Sequence, residues 1–119
     1  TGSEHEIGEG AGRGYTLNCP IAAGEGNDAF LKAWERKIYP ALAQFVPEFI
    51  IISAGFDADA RDTLSHLNVN AAGYAQLSDK VIAFAEQYCE GRLLSVLEGG
   101  YSLEALEEDT AVHVERLLG

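Results

Sequence analysis

Two short stretches of this 119-residue chain carry residue types that do chemistry. In FIIISAGFDA, residues 49–58, an apolar run ends on a lone carboxylate, Asp57. In LEGGYSLEAL, residues 97–106, a second apolar run ends on Glu98, Gly99, Gly100 and Tyr101. A carboxylate offers oxygen to a metal ion, and a phenol offers a hydrogen-bond donor to an oxygen that is gaining charge. Gly99 and Gly100 let a ligand approach the backbone closely, because neither carries a Cβ. Each residue also has a plainer use. A carboxylate after a strand forms turns or caps helices, and a tyrosine after Gly-Gly serves as a surface or core aromatic. The residues alone leave these uses open.

The elements that must position them follow from periodicity and punctuation. Residues 1–14 (TGSEHEIGEGAGRG) read as a polar, Gly-rich arm, followed by a short strand candidate over 15–20. A helix is expected over 28–45, capped by Asn27 or Asp28. Phe30, Trp34, Ile38, Leu42 and Phe45 form its apolar stripe, and Pro40 kinks or splits it. The apolar run 49–53 reads as a strand buried on both faces. Residues 58–70 form a polar connection to a helix over 71–88, which Asn70 caps and Gly91 closes. A second buried strand is expected over 92–97. Ser102 then caps a last helix with Glu104, Glu107 and Glu108 in its early turns and Arg116 near its end, as the helix dipole favours. Strand, helix, strand, helix in this order predicts an α/β fold, a parallel sheet with flanking helices. Ligands of such sheets gather at the carboxyl ends of the strands, and a right-handed crossover permits the two strands to be neighbours. Asp57 and Tyr101 are therefore expected to face one crevice.

The composition narrows the partners. A formal net charge of −11 argues against direct binding of nucleic acid or anionic membrane, and leaves room for a cationic amine. Cys19 and Cys89 match no zinc-knuckle spacing and read as buried thiols of a reducing compartment. The sequence shows no signal peptide and no apolar run of membrane-spanning length, so a cytoplasmic location is expected. With no methionine and a Thr-Gly start, the chain reads as a trimmed or excised piece. His5, His66 and His113 read as surface residues, and Trp34 as core. The glycines at 8, 10, 12 and 14 precede a strand candidate rather than follow a strand, which argues against a dinucleotide site.

The ordered set of TG, EIGEGAGRGYTLNCP, SAGFDA and LEGGYSLEAL resembles the histone deacetylase superfamily, on its class II and bacterial, acetylpolyamine amidohydrolase side. The resemblance runs along nearly all 119 residues and implies the C-terminal portion of one arginase/deacetylase-type domain, residues 1–119, with 1–14 as an arm. It implies that Asp57 is a zinc ligand, that Tyr101 donates to the tetrahedral oxyanion, and that the Tyr15 carbonyl lies at a monovalent-cation site. The implied substrate is an acetylated amine or acetyl-lysine. The family's Asp-x-His ligands and His-His general base have no counterpart in this sequence. The segment alone is therefore expected to bind no zinc and to be inactive, the alternative being a non-catalytic interaction module. Where many relatives carry glycine and then Asp-Pro-Leu, this chain reads Ala60-Arg61-Asp62-Thr63-Leu64, which leaves the rim conformation and substrate choice open. Without the strand that carries Asp-x-His, the strand over 49–53 is expected to expose its edge and apolar face. Self-association, or insertion of the 15–20 strand into the gap, is the expected remedy.

Overall fold

Strands β1 (Ile50–Ala54) and β2 (Leu93–Leu97) pair in parallel, with Ile50 opposite Leu93 and Ala54 opposite Leu97. They form the two-stranded sheet of a computed structural model that describes residues 2–119. Ahead of β1 run α1 (Asn27–Ala33), a π-helical turn (Trp34–Ile38) and α2 (Tyr39–Phe45). Helix α3 (Ala71–Cys89) crosses from β1 to β2, and α4 (Leu103–Leu118) ends the chain. The architecture is α/β with flanking helices, as expected.

Pro40 lacks the amide proton that a regular helix would spend at that turn, and its ring crowds the turn before it. The five-residue π turn just ahead of Pro40 absorbs this mismatch without breaking the rod. Trp34 is thereby turned into the core, edge-on to Phe84 at 6.3 Å and to Tyr39 at 6.4 Å. Phe45, the expected end of the stripe, is exposed instead, and the Tyr15 ring meets it edge-on at 6.0 Å.

Asn70 caps α3 by accepting the Gly73 amide at 3.1 Å. Asn27 and Asn70 also bond each other, through Nδ2 to Oδ1 at 2.8 Å and through the Asn70 amide to the Asn27 Oδ1 at 3.2 Å. Gly73 has no Cβ because the Asn27 side chain fills that space. Helix α3 closes on Glu90 in the left-handed conformation (φ 53), with Gly91 following at φ 74. Ser102 caps α4 through the Ala105 amide.

The core lies on one side of the sheet. Ile52 and Ala54 pack with Phe56, Tyr74, Leu106 and Val112, while Ile50 and Leu93 pack with Trp34, Phe84, Ala85 and Cys89. The other side is open, which corrects the reading of the apolar runs as buried on both faces and agrees with the exposed edge and apolar face expected for the strand over 49–53. Ile51 is 67% exposed, and Phe49, Leu94 and Val96 are also exposed. Each strand has one unpaired edge. A compact chain of 12.8 kDa shows water about 6,300 Å². This one shows 7646 Å².

Three further expectations are corrected. Residues 15–20 form no strand: they run as an irregular segment with Tyr15 and Leu17 exposed, and they do not fill the gap beside β1. His113 is buried, because α4 lays it between α3 and β2, where Ser78 and Ser95 hold its two ring nitrogens at 2.7 and 2.8 Å. Cys19 is only half-buried, whereas Cys89 is fully buried and donates its thiol hydrogen to the Pro47 carbonyl at 3.1 Å. His5 and His66 are exposed.

Candidate active site

The carboxyl ends of β1 and β2 are joined beyond the sheet. The Glu98 amide donates to the Ala54 carbonyl and the Phe56 amide to the Gly99 carbonyl, both at 2.9 Å. These bonds carry the ladder past the strands and bring Gly55-Phe56-Asp57 against Glu98-Gly99-Gly100. A Cβ on Gly99 would lie 3.0 Å from the Asp57 Cγ and 3.1 Å from either carboxylate oxygen. Position 99 is thus glycine because the Asp57 carboxylate lies over it. No donor among the described residues reaches that carboxylate, which is half-buried.

Gly100 adopts φ 138, a conformation that disfavours side chains. A Cβ there would meet the Leu106 Cδ1 at 2.8 Å and the Phe56 Cβ at 3.3 Å. Tyr101 follows directly. The residue is 62% exposed, so packing does little to fix its ring. The structure therefore brings Asp57 and Gly99 together and sets Tyr101 two residues beyond their contact.

One carboxylate is not a metal centre. Among the described residues, no group of three or more His, Cys, Asp or Glu side chains is arranged to hold a metal ion. Asp57 fits as a single oxygen ligand with a free carboxylate, and the other ligands of a zinc site have no counterpart here. A groove of about 640 Å³ lies elsewhere, between Gly14–Leu17 and α2. Tyr15 borders that groove; its amide donates to the Gly12 carbonyl at 3.1 Å.

The connection after Asp57 is more ordered than its polar composition implied. Asp59 bridges to Val69, and its carboxylate takes Arg61 in a fork, Nε to Oδ1 at 2.9 Å and Nη2 to Oδ2 at 3.0 Å. Arg61 reaches on to Glu108 at 2.9 Å and so ties the loop to α4. The Arg61 guanidinium holds Asp59 below the usual carboxylate range. Asp109, on α4, is fully buried; among the described residues neither oxygen has a hydrogen-bond partner, and the Arg61 Nη2 stands 4.0 Å from Oδ1. Burial, reinforced by the Asp59 charge, pushes it up to about 7.

Asp62 is the functional candidate that sequence reasoning passed over. It is buried, one oxygen accepts the Leu64 amide at 2.9 Å, and the other accepts the Tyr101 amide at 2.8 Å. The first bond is an Asx turn, which the sequence signals by an aspartate two residues before the bonded amide. The second spans 39 residues and leaves no local signal.

Two parallel strands whose carboxyl ends meet over the Asp57 carboxylate, with helices flanking them, define an α/β protein, and ligands of such sheets gather at that edge. The sequence model of the histone deacetylase domain matches residues 1–117, and the chain belongs to that family. A probable deacetylase of Archaeoglobus fulgidus is 43% identical over 104 residues, which are 87% of this chain and 29% of that protein. A histone deacetylase-like amidohydrolase of Pseudomonas aeruginosa is 41% identical over 97 residues, 82% of this chain and 26% of that one. The crystal structure of the HDA15 HD domain superposes with a TM-score of 0.91 at 35% identity, over 100% of this chain and 33% of that one. The chain thus spans less than a third of the length of the two curated relatives.

Proposed function

We propose that residues 2–119 supply the C-terminal strand ends of a zinc-dependent deacetylase-like amidohydrolase. Its complete form cleaves the acetyl amide of acetyl-lysine or of an acetylated polyamine. The observation that carries this reading is Asp57: a carboxylate without a donor, seated over a glycine that makes room for it, beside the loop of an exposed phenol.

Asp57 would hold a zinc ion together with ligands from outside this chain, and the ion would supply Lewis acidity toward an amide carbonyl and a water molecule. The remaining work belongs to the chain itself. Tyr101 donates its phenolic hydrogen to the amide oxygen as that oxygen gains charge, so the transition state is held more tightly than the substrate. Gly99 makes room for the Asp57 carboxylate, and Gly100 lets the backbone close on Phe56 and Leu106 just before Tyr101. Hydrolysis consumes one water and releases acetate and the free amine, and the acidic chain suits a cationic amine.

In the complete, zinc-loaded protein, Tyr101→Phe is expected to lower kcat by roughly 100-fold or more on an acetyl-lysine peptide or acetylated polyamine. The 119-residue chain alone is expected to bind zinc weakly and turn over neither substrate. A full equivalent of zinc with hydrolysis by that chain overturns the reading. So does a complete zinc-loaded protein inert toward both substrates, a result that favours a non-catalytic interaction module.

A further inference from the structure

We propose that Asp62 is the positioning residue for Tyr101, acting through the Tyr101 backbone amide; the proposal rests on the role assigned to that phenol above. Packing does not hold the Tyr101 ring, so its backbone decides where the hydroxyl can reach. That backbone is constrained on both sides. Before it, the Gly99 carbonyl takes the Phe56 amide, and Gly100 is pressed against Phe56 and Leu106 with no room for a side chain. After it, Ser102 begins the cap of α4. Between the two, the Tyr101 amide is held by the Asp62 Oδ2 at 2.8 Å.

Asp62 suits this task better than a surface acceptor would. It is 5% exposed, so water competes little for its oxygens, and charge strengthens the bonds it accepts. Its other oxygen is committed to the Leu64 amide, and its own amide donates to the Asp59 carbonyl at 2.9 Å. The carboxylate therefore has a fixed orientation. The loop that it anchors also begins with Asp57. One loop thus carries the free carboxylate and, five residues on, the group that sets the phenol's backbone, which fixes the separation of the two halves of the site. An oxyanion donor displaced by about 1 Å loses much of its effect, on the order of 100-fold in rate. A tyrosine with an unpacked ring depends on such an anchor.

The test compares Asp62→Ala, Asp62→Asn, Tyr101→Phe and the double variant Asp62→Ala/Tyr101→Phe in the complete zinc-loaded protein, on an acetyl-lysine peptide. Asp62→Ala is expected to lower kcat by ~10- to 100-fold while KM stays within about threefold. Asp62→Asn keeps an oxygen for the Tyr101 amide but turns its NH2 group toward the Leu64 amide, so it should fall between; it carries the test if the alanine variant fails to fold. The double variant should be no slower than Tyr101→Phe alone, because Asp62 acts only through that phenol. Losses that multiply instead, or an Asp62→Ala kcat equal to wild type, overturn the proposal while leaving Tyr101's role standing. A Tyr101→Phe variant as fast as wild type sinks that role and this proposal together. Hydrogen exchange in the same protein reads the anchor without any activity. The Tyr101 amide should be protected in the wild type and lose protection in Asp62→Ala, while β1 and β2 amides keep theirs. An unprotected Tyr101 amide in the wild type overturns the anchor.

Discussion

The two faces of the small sheet are built from much the same residues and meet opposite fates. Ile50, Ile52 and Leu93 face the helices and join the core, while Ile51, Leu94 and Val96 face water. Apolar content fills both faces; what differs is whether helices lie across them. The covered face should therefore hold nearly all the stability. Phe84, 1% exposed, shows this best: it stacks on Tyr88 at 4.5 Å and meets Trp34 and Tyr39 edge-on. Phe84→Ala removes the centre of that aromatic cluster and is expected to cost about 3–5 kcal/mol in urea unfolding. A loss below about 1 kcal/mol would mean that the cluster is loosely packed, and the contrast between faces would lose its meaning.

The same contrast explains what the sequence could tell. Caps and apolar runs are local, so Asn70, Ser102 and both strands were legible to within a residue or two, whereas neither Asn27 nor Asp28 caps the first helix, because the Asn27 side chain is spent on Asn70. Asp57, Gly99, Gly100 and Tyr101 were legible as a group, because an apolar run ending in such residues is itself unusual. What depends on partners was not. Tyr15, Leu17 and Cys19 alternate as a strand would, but β-propensity becomes structure only beside a neighbouring strand, and none lies there. The burial of His113 requires Ser78 and Ser95, 35 and 18 residues away. The apolar run alone reads as buried on both faces; only the resemblance, through the neighbouring strand that has no counterpart here, points to the exposed face of the strand over 49–53.

The covered side also holds two titrating groups that sharpen the comparison at a smaller scale. Asp109 has its pKa raised by burial, to about 7. The native state keeps its proton where the unfolded chain has lost it, so this contribution is full below about pH 4 and lost as pH rises through 7. His113 has its pKa lowered by burial. The Ser78 hydroxyl spends its hydrogen on the Tyr74 carbonyl at 2.7 Å, so it accepts from the His113 Nδ1–H and leaves Nε2 to accept from Ser95. A neutral ring therefore satisfies every partner. Its contribution is full above about pH 6.5 and lost as pH falls through the lowered native value. The two slopes oppose each other. Asp109→Asn should remove the loss toward alkaline pH and stabilise by about 1–2 kcal/mol at pH 8. His113→Gln should flatten the acid side while lowering the maximum. Unfolding curves from pH 5 to 8 check both, and an Asp109→Asn variant that tracks the wild type throughout would mean that water reaches this face too.

The outer face yields the smallest effect on stability and the most direct test of the contrast. The chain exposes about 1,300 Å² more than a compact protein of its mass, more than each partner gives up in an ordinary protein–protein interface. We propose that the isolated chain covers part of this surface by self-association across Ile51, Leu94 and Val96. Ile51→Thr keeps a β-branched residue in β1 and removes apolar surface that already faces water, so folding stability should change by no more than about 0.5 kcal/mol. The same substitution should shift the mass seen by light scattering toward one subunit. A wild-type chain that is already one subunit at high concentration would rule out association. An Ile51→Thr variant that loses as much stability as Phe84→Ala would mean that Ile51 is buried in the free chain, and the two faces would not differ as described.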